Sequence, residues 1–428
     1  MIIMRIVLKK VLSCLFFLFL VLFVSTLFGS CQKEENENKY EESREQVKSS
    51  IQFPMLAWIG LPPKSSVDDY KTMKAAGFTY DLLTYYRNIE QVKEALDKAQ
   101  SVGIKCIVNC PELGNNPQMV IDKLKTHPAV AGWFVKDEPK RGDLSAVAKK
   151  MKSFHSFDSK GISYVNLLPT DSPIDLIGNP PIKYFNDATA MLPLQVLSFT
   201  FYPIVVHDGK PERKVNGLWY ENLELFAAKA KSLNIPLWTF VLASSYHHPT
   251  GKGSYPEPTL GDLRLQIYSN LAYGSQMLQY YTYTTPQETP YYNAPIKKDG
   301  TKSATYDKLR EVNNEVIRLS GVFVGAKMIN VWHTGPQRPK GTKPLVLPKN
   351  FGLIKTDGDG AVVSLLKNGK RNYLMIVNHS PTKKMNLEIK ATSIVKEVDK
   401  NAYLNVVNWD KSRTCLLEPG GMKLYSWE

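Results

Sequence analysis

Two adjacent carboxylates, Asp137 and Glu138, stand at the end of a short apolar run and directly before Pro139. Carboxylates this close repel each other when both are ionised, so one of them keeps its proton to a higher pH than an isolated side chain would. A carboxyl that stays protonated near neutral pH is suited to general acid catalysis. Salt bridging, or capping of the following helix, is the alternative structural role for this pair. Further acids that follow other apolar runs are Glu112, Asp171 and Glu288.

Aromatic and amide side chains lie near the ends of the same apolar runs. Sugar rings stack their C–H faces on aromatic rings, and amide groups hydrogen-bond sugar hydroxyls. Any single aromatic residue is more often a core residue, so the prediction rests on the whole group. The predicted substrate-binding residues are Trp58, Tyr85, Tyr86, Asn109, Asn166, Tyr202, Trp238, Tyr246, Gln279, Tyr281 and Tyr283.

The elements that must position these residues are short β-rich runs that alternate with amphipathic helical segments. The predicted strands are Met55–Leu61, Thr79–Tyr86, Ile104–Pro111, Val130–Glu138, Ile162–Leu168, Val196–Val206, Leu237–Ser245 and Gln276–Tyr283. Eight strand–helix units over about 250 residues predict an α/β fold, the (β/α)8 TIM barrel, in which the active site lies at the C-terminal ends of the strands. Four prolines between positions 169 and 181 interrupt any helix after the fifth strand, which makes that unit the weakest of the eight.

After a closing helix over Tyr306–Leu319 the pattern changes to strands without helices, separated by Gly-rich turns. These strands are Met328–Trp332, Phe351–Lys355, Ala361–Lys367, Tyr373–Asn378, Met385–Ile389, Tyr403–Val407 and Met422–Trp427. The sequence therefore predicts a barrel over residues 51–320 and a small antiparallel β-sandwich over residues 321–428.

The fourth run, Val130–Pro139, resembles the Asn-Glu-Pro acid/base strand of the large retaining TIM-barrel glycosidase clan, with Asp137 in place of Asn. It is also similar to the Asp-Glu pair of substrate-assisted hexosaminidases. Either resemblance implies a glycoside hydrolase that uses Glu138 as general acid/base with Asp137 assisting. Clan members carry a nucleophilic Glu at the end of the seventh strand, but this sequence has no acid over Leu237–His248.

Three explanations of the missing acid remain open. Asp137 could orient a substrate acetamido group that itself attacks, with Tyr202 or Tyr283 holding that group. Asp171 or Glu288 could supply the nucleophile or base from another loop. In the third, the chain is a non-catalytic surface glycan-binding lipoprotein that keeps the barrel without turnover.

The N-terminus has the features of a secretory signal. Basic residues precede the apolar run Val11–Leu27, which ends in Phe28–Cys31. This pattern predicts a signal peptide over residues 1–30 and lipidation of Cys31, with a retained anchor helix as the alternative. Residues 31–50 are nearly all polar and are expected to form a disordered tether. Acidic residues just after the cysteine resemble lipoproteins of the Bacteroides group, which implies an outer-membrane lipoprotein at the cell surface or on the periplasmic face.

The chain has a formal net charge of +14. Such a surface suits acidic glycans, although dispersed lysines are more often only solubilising. The sequence contains no basic motif interleaved with aromatic residues of the kind that binds nucleic acid.

Motifs for other chemistries are also absent from the sequence. It contains no phosphate-binding glycine loop, no Gly-x-Ser-x-Gly elbow and no His-Glu-x-x-His. Cys106 and Cys110 are expected to be buried small side chains, so neither a cofactor nor a metal is expected.

Overall fold

In a computed structural model that describes residues 45–207, 210–247, 253–287 and 290–428, eight parallel strands form a closed barrel. Numbered along the chain, they are β1 (Met55–Trp58), β2 (Tyr80–Leu82), β3 (Lys105–Val108), β4 (Val130–Asp137), β5 (Ile162–Asn166), β6 (Leu197–Phe199), β9 (Leu237–Leu242) and β12 (Ser275–Tyr281). Their order is β5-β4-β3-β2-β1-β12-β9-β6, and pairing of Leu167 with Phe199 closes the ring. The predicted TIM barrel is therefore confirmed.

Helices follow the barrel strands and cover them from outside. The principal helices are Val67–Ala75, Ile89–Ser101, Pro117–Leu124, Leu144–Phe157, Pro181–Met191, Leu218–Leu233, Leu260–Ala272 and Ala304–Arg318. Ser66, Asn88 and Thr259 cap three of them, each accepting a hydrogen bond from a first-turn N–H. The expectation of an interrupted helix after β5 is wrong for Pro181–Met191, because Pro181 stands at the first helical position, where its missing N–H costs no hydrogen bond.

Large aromatic side chains fill the barrel interior. The Trp58 ring lies 5.9 Å from Phe134, 5.8 Å from Tyr164 and 5.1 Å from Phe240, measured between ring centroids. Trp238 stacks on Tyr164 at 5.4 Å. Aromatic pairs of this kind contribute about 0.5–1.5 kcal/mol each beyond area burial, so the interior is a packed core.

A second, five-stranded sheet is built from the loops that follow β6, β9 and β12. Its strands are β7 (Ile204–His207), β8 (Lys210–Val215), β10 (Ser245–His247), β11 (Ser254–Tyr255) and β13 (Tyr291–Tyr292), in the order β13-β10-β11-β7-β8. We call it the accessory sheet. The predicted run Val196–Val206 is thus two strands, because β7 leaves the barrel and pairs with β8 and β11.

The C-terminal region is an antiparallel β domain, as predicted. One sheet has the order β14-β16-β17-β22-β19-β20 and the other β15-β18-β21. The strands are β14 (Lys327–His333), β15 (Phe351–Thr356), β16 (Ala361–Asn368), β17 (Arg371–Asn378), β18 (Met385–Ala391), β19 (Lys396–Val398), β20 (Leu404–Val406), β21 (Arg413–Leu417) and β22 (Met422–Trp427). Sequence analysis missed β19 and β21, which have only three and five residues.

The β domain packs directly on the barrel helix Leu260–Ala272. Ser364 donates a hydrogen bond of 2.6 Å to the carbonyl of Ala272. At the other end of that helix, a Cβ on Gly261 would fall 2.1 Å from the Pro381 carbonyl oxygen. Buried side chains of β16 and β17 accordingly belong to the same hydrophobic cluster as the barrel helices.

The first described residues pair with the β domain. The Val47 N–H donates to Ala402 O and the Leu404 N–H to Glu45 O, each at 2.9 Å. Residues 45–47, which the predicted tether includes, therefore pair with the β domain. The signal segment and Cys31 lie outside the described residues, and within those that are described no helix has the length and apolar character needed to cross a membrane.

Candidate active site

Glu138 lies where β4 turns into its loop, at the C-terminal end of the barrel. Its backbone has a φ of +43°, in the left-handed region that glycine favours. The Glu138 N–H donates to Asn166 O at 2.9 Å, and the carbonyl of the next residue, Pro139, accepts 2.9 Å from the Tyr184 hydroxyl. A non-glycine residue held this way costs about 1–3 kcal/mol, and such strain clusters at functional sites.

Asn166, at the end of β5, connects the two carboxylates. Its amide nitrogen donates to Asp137 Oδ1 at 3.0 Å and to the Thr200 hydroxyl at 2.6 Å. Thr200 in turn lies near enough to the Glu138 carboxyl to lower its pKa. One buried amide thereby fixes Asp137 directly and orients Thr200 beside Glu138.

Other barrel strands hold Asn166 in this orientation. Ser198 donates to Asn166 Oδ1 at 2.8 Å, and Gln279 Nε2 donates to Ser198 at 2.9 Å. The Tyr164 hydroxyl donates to Gln279 Oε1 at 2.5 Å. Asn166 and Gln279 have no exposed surface. We therefore correct their predicted role, because protein groups already occupy their amides and they position the carboxylates instead of contacting a sugar.

Burial and mutual repulsion shift the acidity of the two carboxyls. Burial, then the neighbouring charge of Asp137, raises the pKa of Glu138 to about 7, although nearby Thr200 opposes the shift. Burial also raises the pKa of Asp137, and the Asn166 hydrogen bond opposes that shift. Asp137 is still open to solvent on the cleft side, although protein surrounds it elsewhere. A large fraction of Glu138 is therefore protonated at neutral pH, as a general acid requires.

Five half-buried tyrosines form a cluster beside Glu138. Ring centroids are 5.7 Å apart for Tyr202 and Tyr281, 5.6 Å for Tyr202 and Tyr255, 5.1 Å for Tyr281 and Tyr291, and 4.7 Å for Tyr246 and Tyr291. After burial, nearby charges that include Glu138 further raise the pKa of three of the phenols, those at 202, 281 and 291. We call this group the tyrosine cluster.

Sequence analysis identified three members of the tyrosine cluster and missed two. Tyr255 and Tyr291 lie on β11 and β13, two-residue strands of the accessory sheet that have no detectable periodicity. The one available signal was the Tyr291-Tyr292 pair beyond the eighth strand. Tyr85, 48% exposed, lies on the open side of the site, near enough for its charge to raise the pKa of Tyr281.

Four of the predicted substrate-binding aromatics are core residues. Trp58 and Trp238 are each 4% exposed and belong to the barrel interior. Tyr86 donates to Leu61 O at 3.0 Å, and Tyr283 is fully buried with its ring 5.0 Å from that of Phe78. The predicted role of Trp58, Trp238 and Tyr283 is corrected because these side chains are enclosed by the barrel or by its helices, whereas Tyr86, although buried, also lines a cavity beside Asp137.

The other predicted acids are placed differently. Asp171 has an exposed side chain, although protein close to its carboxyl excludes enough water to raise its pKa. Its charge acts on Tyr255, so it lies on the tyrosine-cluster side of the site. Glu288 lies outside the described residues. Glu112 accepts the Ile89 N–H at 3.3 Å, which is a structural role.

The end of the seventh barrel strand carries no carboxylate. β9 is followed by Ala243, Ser244 and Ser245, and Ser244 donates to Tyr281 O at 3.3 Å. Across the described ranges no group of three or more His, Cys, Asp or Glu side chains is arranged to hold a metal ion. Cys106 and Cys110 are buried and unbonded.

Beside Asp137, on the side away from the tyrosine cluster, is a cavity of about 500 Å³. Half-buried Asn109 and Thr84 line it together with Lys136 and Lys150. Of the predicted amides, Asn109 is thus the one that lines an open part of the site.

No protein-family profile matches the sequence, and no curated protein matches it in sequence. Solved structures of similar fold are TIM-barrel glycoside hydrolases. An α-amylase from Geobacillus thermoleovorans, solved with acarbose, has a TM-score of 0.50 at 11% identity over 90% of this chain and 95% of its own. A GH42 β-galactosidase from G. stearothermophilus gives 0.48 at 10% identity over 90% and 99%.

A β-galactosidase from the psychrophilic Marinomonas ef1 gives a TM-score of 0.45 at 13% identity. That match covers 63% of this chain and 60% of the enzyme, so this chain spans little more than half of its length. The match to the amylase, at 11% identity, is a similarity of fold alone and leaves the chemistry to the residues of the site.

Proposed function

We propose that this protein is a glycoside hydrolase in which Glu138 is the general acid/base and Asp137 assists. One observation carries the proposal: Glu138 directly follows the fourth strand of a glycosidase-type barrel, its pKa is raised to about 7, and its charge acts on three tyrosines of the tyrosine cluster. Glycoside cleavage requires a protonated carboxyl next to the leaving oxygen and a surface that orients the sugar ring.

In the proposed reaction the sugar packs on the tyrosine cluster with its glycosidic oxygen at Glu138. Glu138 transfers its proton to that oxygen as the bond to the anomeric carbon breaks. The carboxylate then accepts a proton from the water that completes hydrolysis, which regenerates the acid. Asn166 and Thr200 keep both carboxyls in place throughout.

The group that attacks the anomeric carbon must come from somewhere other than the end of β9. A substrate acetamido oxygen oriented by Asp137 is our first choice, because Asp137 is adjacent to the acid and fixed by Asn166. Asp171, on the tyrosine-cluster side, is the second. A matched pair of aryl glycosides with and without the 2-acetamido group separates them, since only the first mechanism requires that group.

The decisive experiment is hydrolysis of a panel of aryl glycosides and of host and plant glycans. A soluble chain starting at residue 32 keeps the pairing of Glu45 and Val47 with the β domain. Glu138→Gln should lower kcat by about 10²–10⁴-fold, the usual effect of losing a general acid. Glu112→Gln, which changes another acid after a barrel strand, should retain activity. Wild-type turnover that survives in Glu138→Gln would refute the assignment.

We also propose that the protein acts at the cell envelope through a lipid on Cys31. The cysteine follows an apolar segment, and the chain enters the described structure at Glu45. Mass spectrometry of the mature N-terminus tests this directly. Cys31→Ala should release the protein from membranes, and an unmodified Cys31 in membrane-bound protein would refute it.

A further inference from the structure

The cavity beside Asp137 has a charge pattern that neutral sugars do not require. It lies between the loops that follow β2, β3 and β4, opposite the tyrosine cluster. Two ammonium groups line it: Lys136, at the end of β4, and Lys150, from the helix Leu144–Phe157. The cavity therefore offers positive charge next to the candidate catalytic carboxyls.

Asp137 lines the same cavity and its charge interacts with that of Lys136, but among the described residues it forms no close ion pair with either lysine. Within the described ranges no acidic oxygen lies within 4 Å of either ammonium group. Lys150 donates to the Val135 carbonyl at 3.3 Å, and its Nζ lies 5.2 Å from the Phe154 ring centroid. Burial and then the charge of Lys136 lower the pKa of Lys150, so the two cations repel each other across partly desolvated space.

An anion in this cavity would remove that repulsion. Two cations at one cavity, of which Lys150 is partly buried, attract a negative group more strongly than a single exposed lysine does, although Asp137 offsets part of the charge of exposed Lys136. Asn109, on the same wall, can donate to the oxygens of a carboxylate or sulfate, whereas the Thr84 hydroxyl donates to Leu82 O at 3.0 Å and can accept from a sugar hydroxyl. The cavity volume of about 500 Å³ is in the range of sites that hold a small ligand.

We infer that this cavity binds the acidic group of an anionic sugar, a uronate carboxylate or a sulfate ester, next to the sugar held by the tyrosine cluster. The inference deepens the proposed function by naming the substrate class as acidic glycans. It rests on that function for cleavage of the adjacent bond, but binding of the acidic sugar does not require turnover.

Binding is therefore measured in the Glu138→Gln protein, so that loss of hydrolysis does not affect the result. The acidic probes are oligogalacturonate and chondroitin sulfate oligosaccharides, and the neutral probes are carboxyl-reduced oligogalacturonate and desulfated, carboxyl-reduced chondroitin; all are titrated by calorimetry. Replacing Lys150 with Met keeps the apolar stem against Phe154 and removes the charge. We expect Lys150→Met to raise the Kd for an acidic oligosaccharide at least tenfold and to leave its carboxyl-reduced, unsulfated form unchanged.

Lys149→Met, an exposed neighbour in the same helix, is the matched control and should change the Kd less than twofold. Lys136→Gln should reproduce the effect of Lys150→Met, and added salt should weaken binding of the parent protein more than that of either variant.

Preference for the sulfated probe identifies sulfate as the bound group, and preference for oligogalacturonate identifies the carboxylate. Equal Kd values for acidic and reduced probes, no binding of either acidic probe, or equal effects at 149 and 150 would overturn the inference.

Discussion

Asp81 is a fully buried carboxylate on β2 that faces the helix layer. It has no exposed surface, and neither oxygen has a partner with full hydrogen-bond geometry among the described residues. The carboxylate packs so closely on Gly60 that a Cβ there would fall 1.5 Å from Oδ1. Burial raises the pKa of Asp81 to about 8, although the nearby Leu61 N–H acts in the opposite direction. Folding at neutral pH therefore requires this carboxyl to take up a proton.

Asp81→Asn should stabilise the protein, and the gain should increase with pH. The folded pKa lies above the unfolded value, so the stability is fully present below the unfolded pKa of 3.8 and is lost as the pH rises through about 8. The neutral amide avoids this loss. A shift of about four pKa units implies a gain of about 2 kcal/mol at pH 5, about 4 kcal/mol at pH 7 and at most about 6 kcal/mol above pH 9. The cost of burying the new NH2 group lowers all three values equally.

Denaturant unfolding of wild type and Asp81→Asn at pH 5, 7 and 9 measures this difference. The test is the increase, from pH 5 to pH 9, in the stability difference between Asp81→Asn and wild type, because this increase does not depend on how well the amide packs. Exposed Asp175→Asn serves as the control and should show little change with pH. A stability difference that is constant from pH 5 to pH 9 would show that Asp81 is already ionised or paired in the folded protein.

Three other predictions follow from the site and the packing. The alkaline limb of the kcat–pH profile should fall near pH 7 because protonated Glu138 is the active form, and Asp137→Asn should move that limb to lower pH by removing the repulsion. The free energy of unfolding, measured by denaturant titration, should be about 1 kcal/mol higher for Glu138→Gly than for Glu138→Ala, because glycine adopts φ +43° without strain. Gly261→Ala should lower the free energy of unfolding by about 1–3 kcal/mol, because the new Cβ clashes with Pro381 O. Gly142→Ala, which places its Cβ in open space, should not lower it, and thermal unfolding of the two variants tests this difference.

The barrel could be predicted from the sequence because each of its strands is buried on both faces. Such strands are apolar runs bounded by caps and turns, and all eight runs contain a barrel strand. The accessory sheet could not be predicted in the same way. Its strands β11 and β13 have two residues each, too short for any alternation, and they form because three loops converge above one side of the barrel.

The sequence predicted at which strand ends the candidate site residues lie, but not the directions in which their side chains point. Asp137 and Glu138 were found because adjacent acids before a proline are distinctive. The error over Trp58, Trp238 and Tyr283 has one cause: when both faces of a strand are apolar, the sequence does not tell which side chains point to the mouth, the interior or the helices. Asn166 and Gln279 were placed in the right region, but their partners, Ser198 and Tyr164, lie on other strands.

The missing acid after β9 and the tyrosine cluster belong to the same part of the barrel. Where clan members place a nucleophilic carboxylate, this chain continues through Ser244 and Ser245 into β10, whose Tyr246 packs on Tyr291. The tyrosines of this wall can orient a sugar ring, and Asp171 is a carboxylate on the same side. Under the proposed function, the positive charge of an oxocarbenium-like transition state is stabilised by Asp137, which Asn166 fixes, by Asp171, or by a group on the substrate itself. Together the two proposals favour a substrate that presents an acetamido group on the reacting sugar to Asp137 and an acid on its neighbour to Lys136 and Lys150.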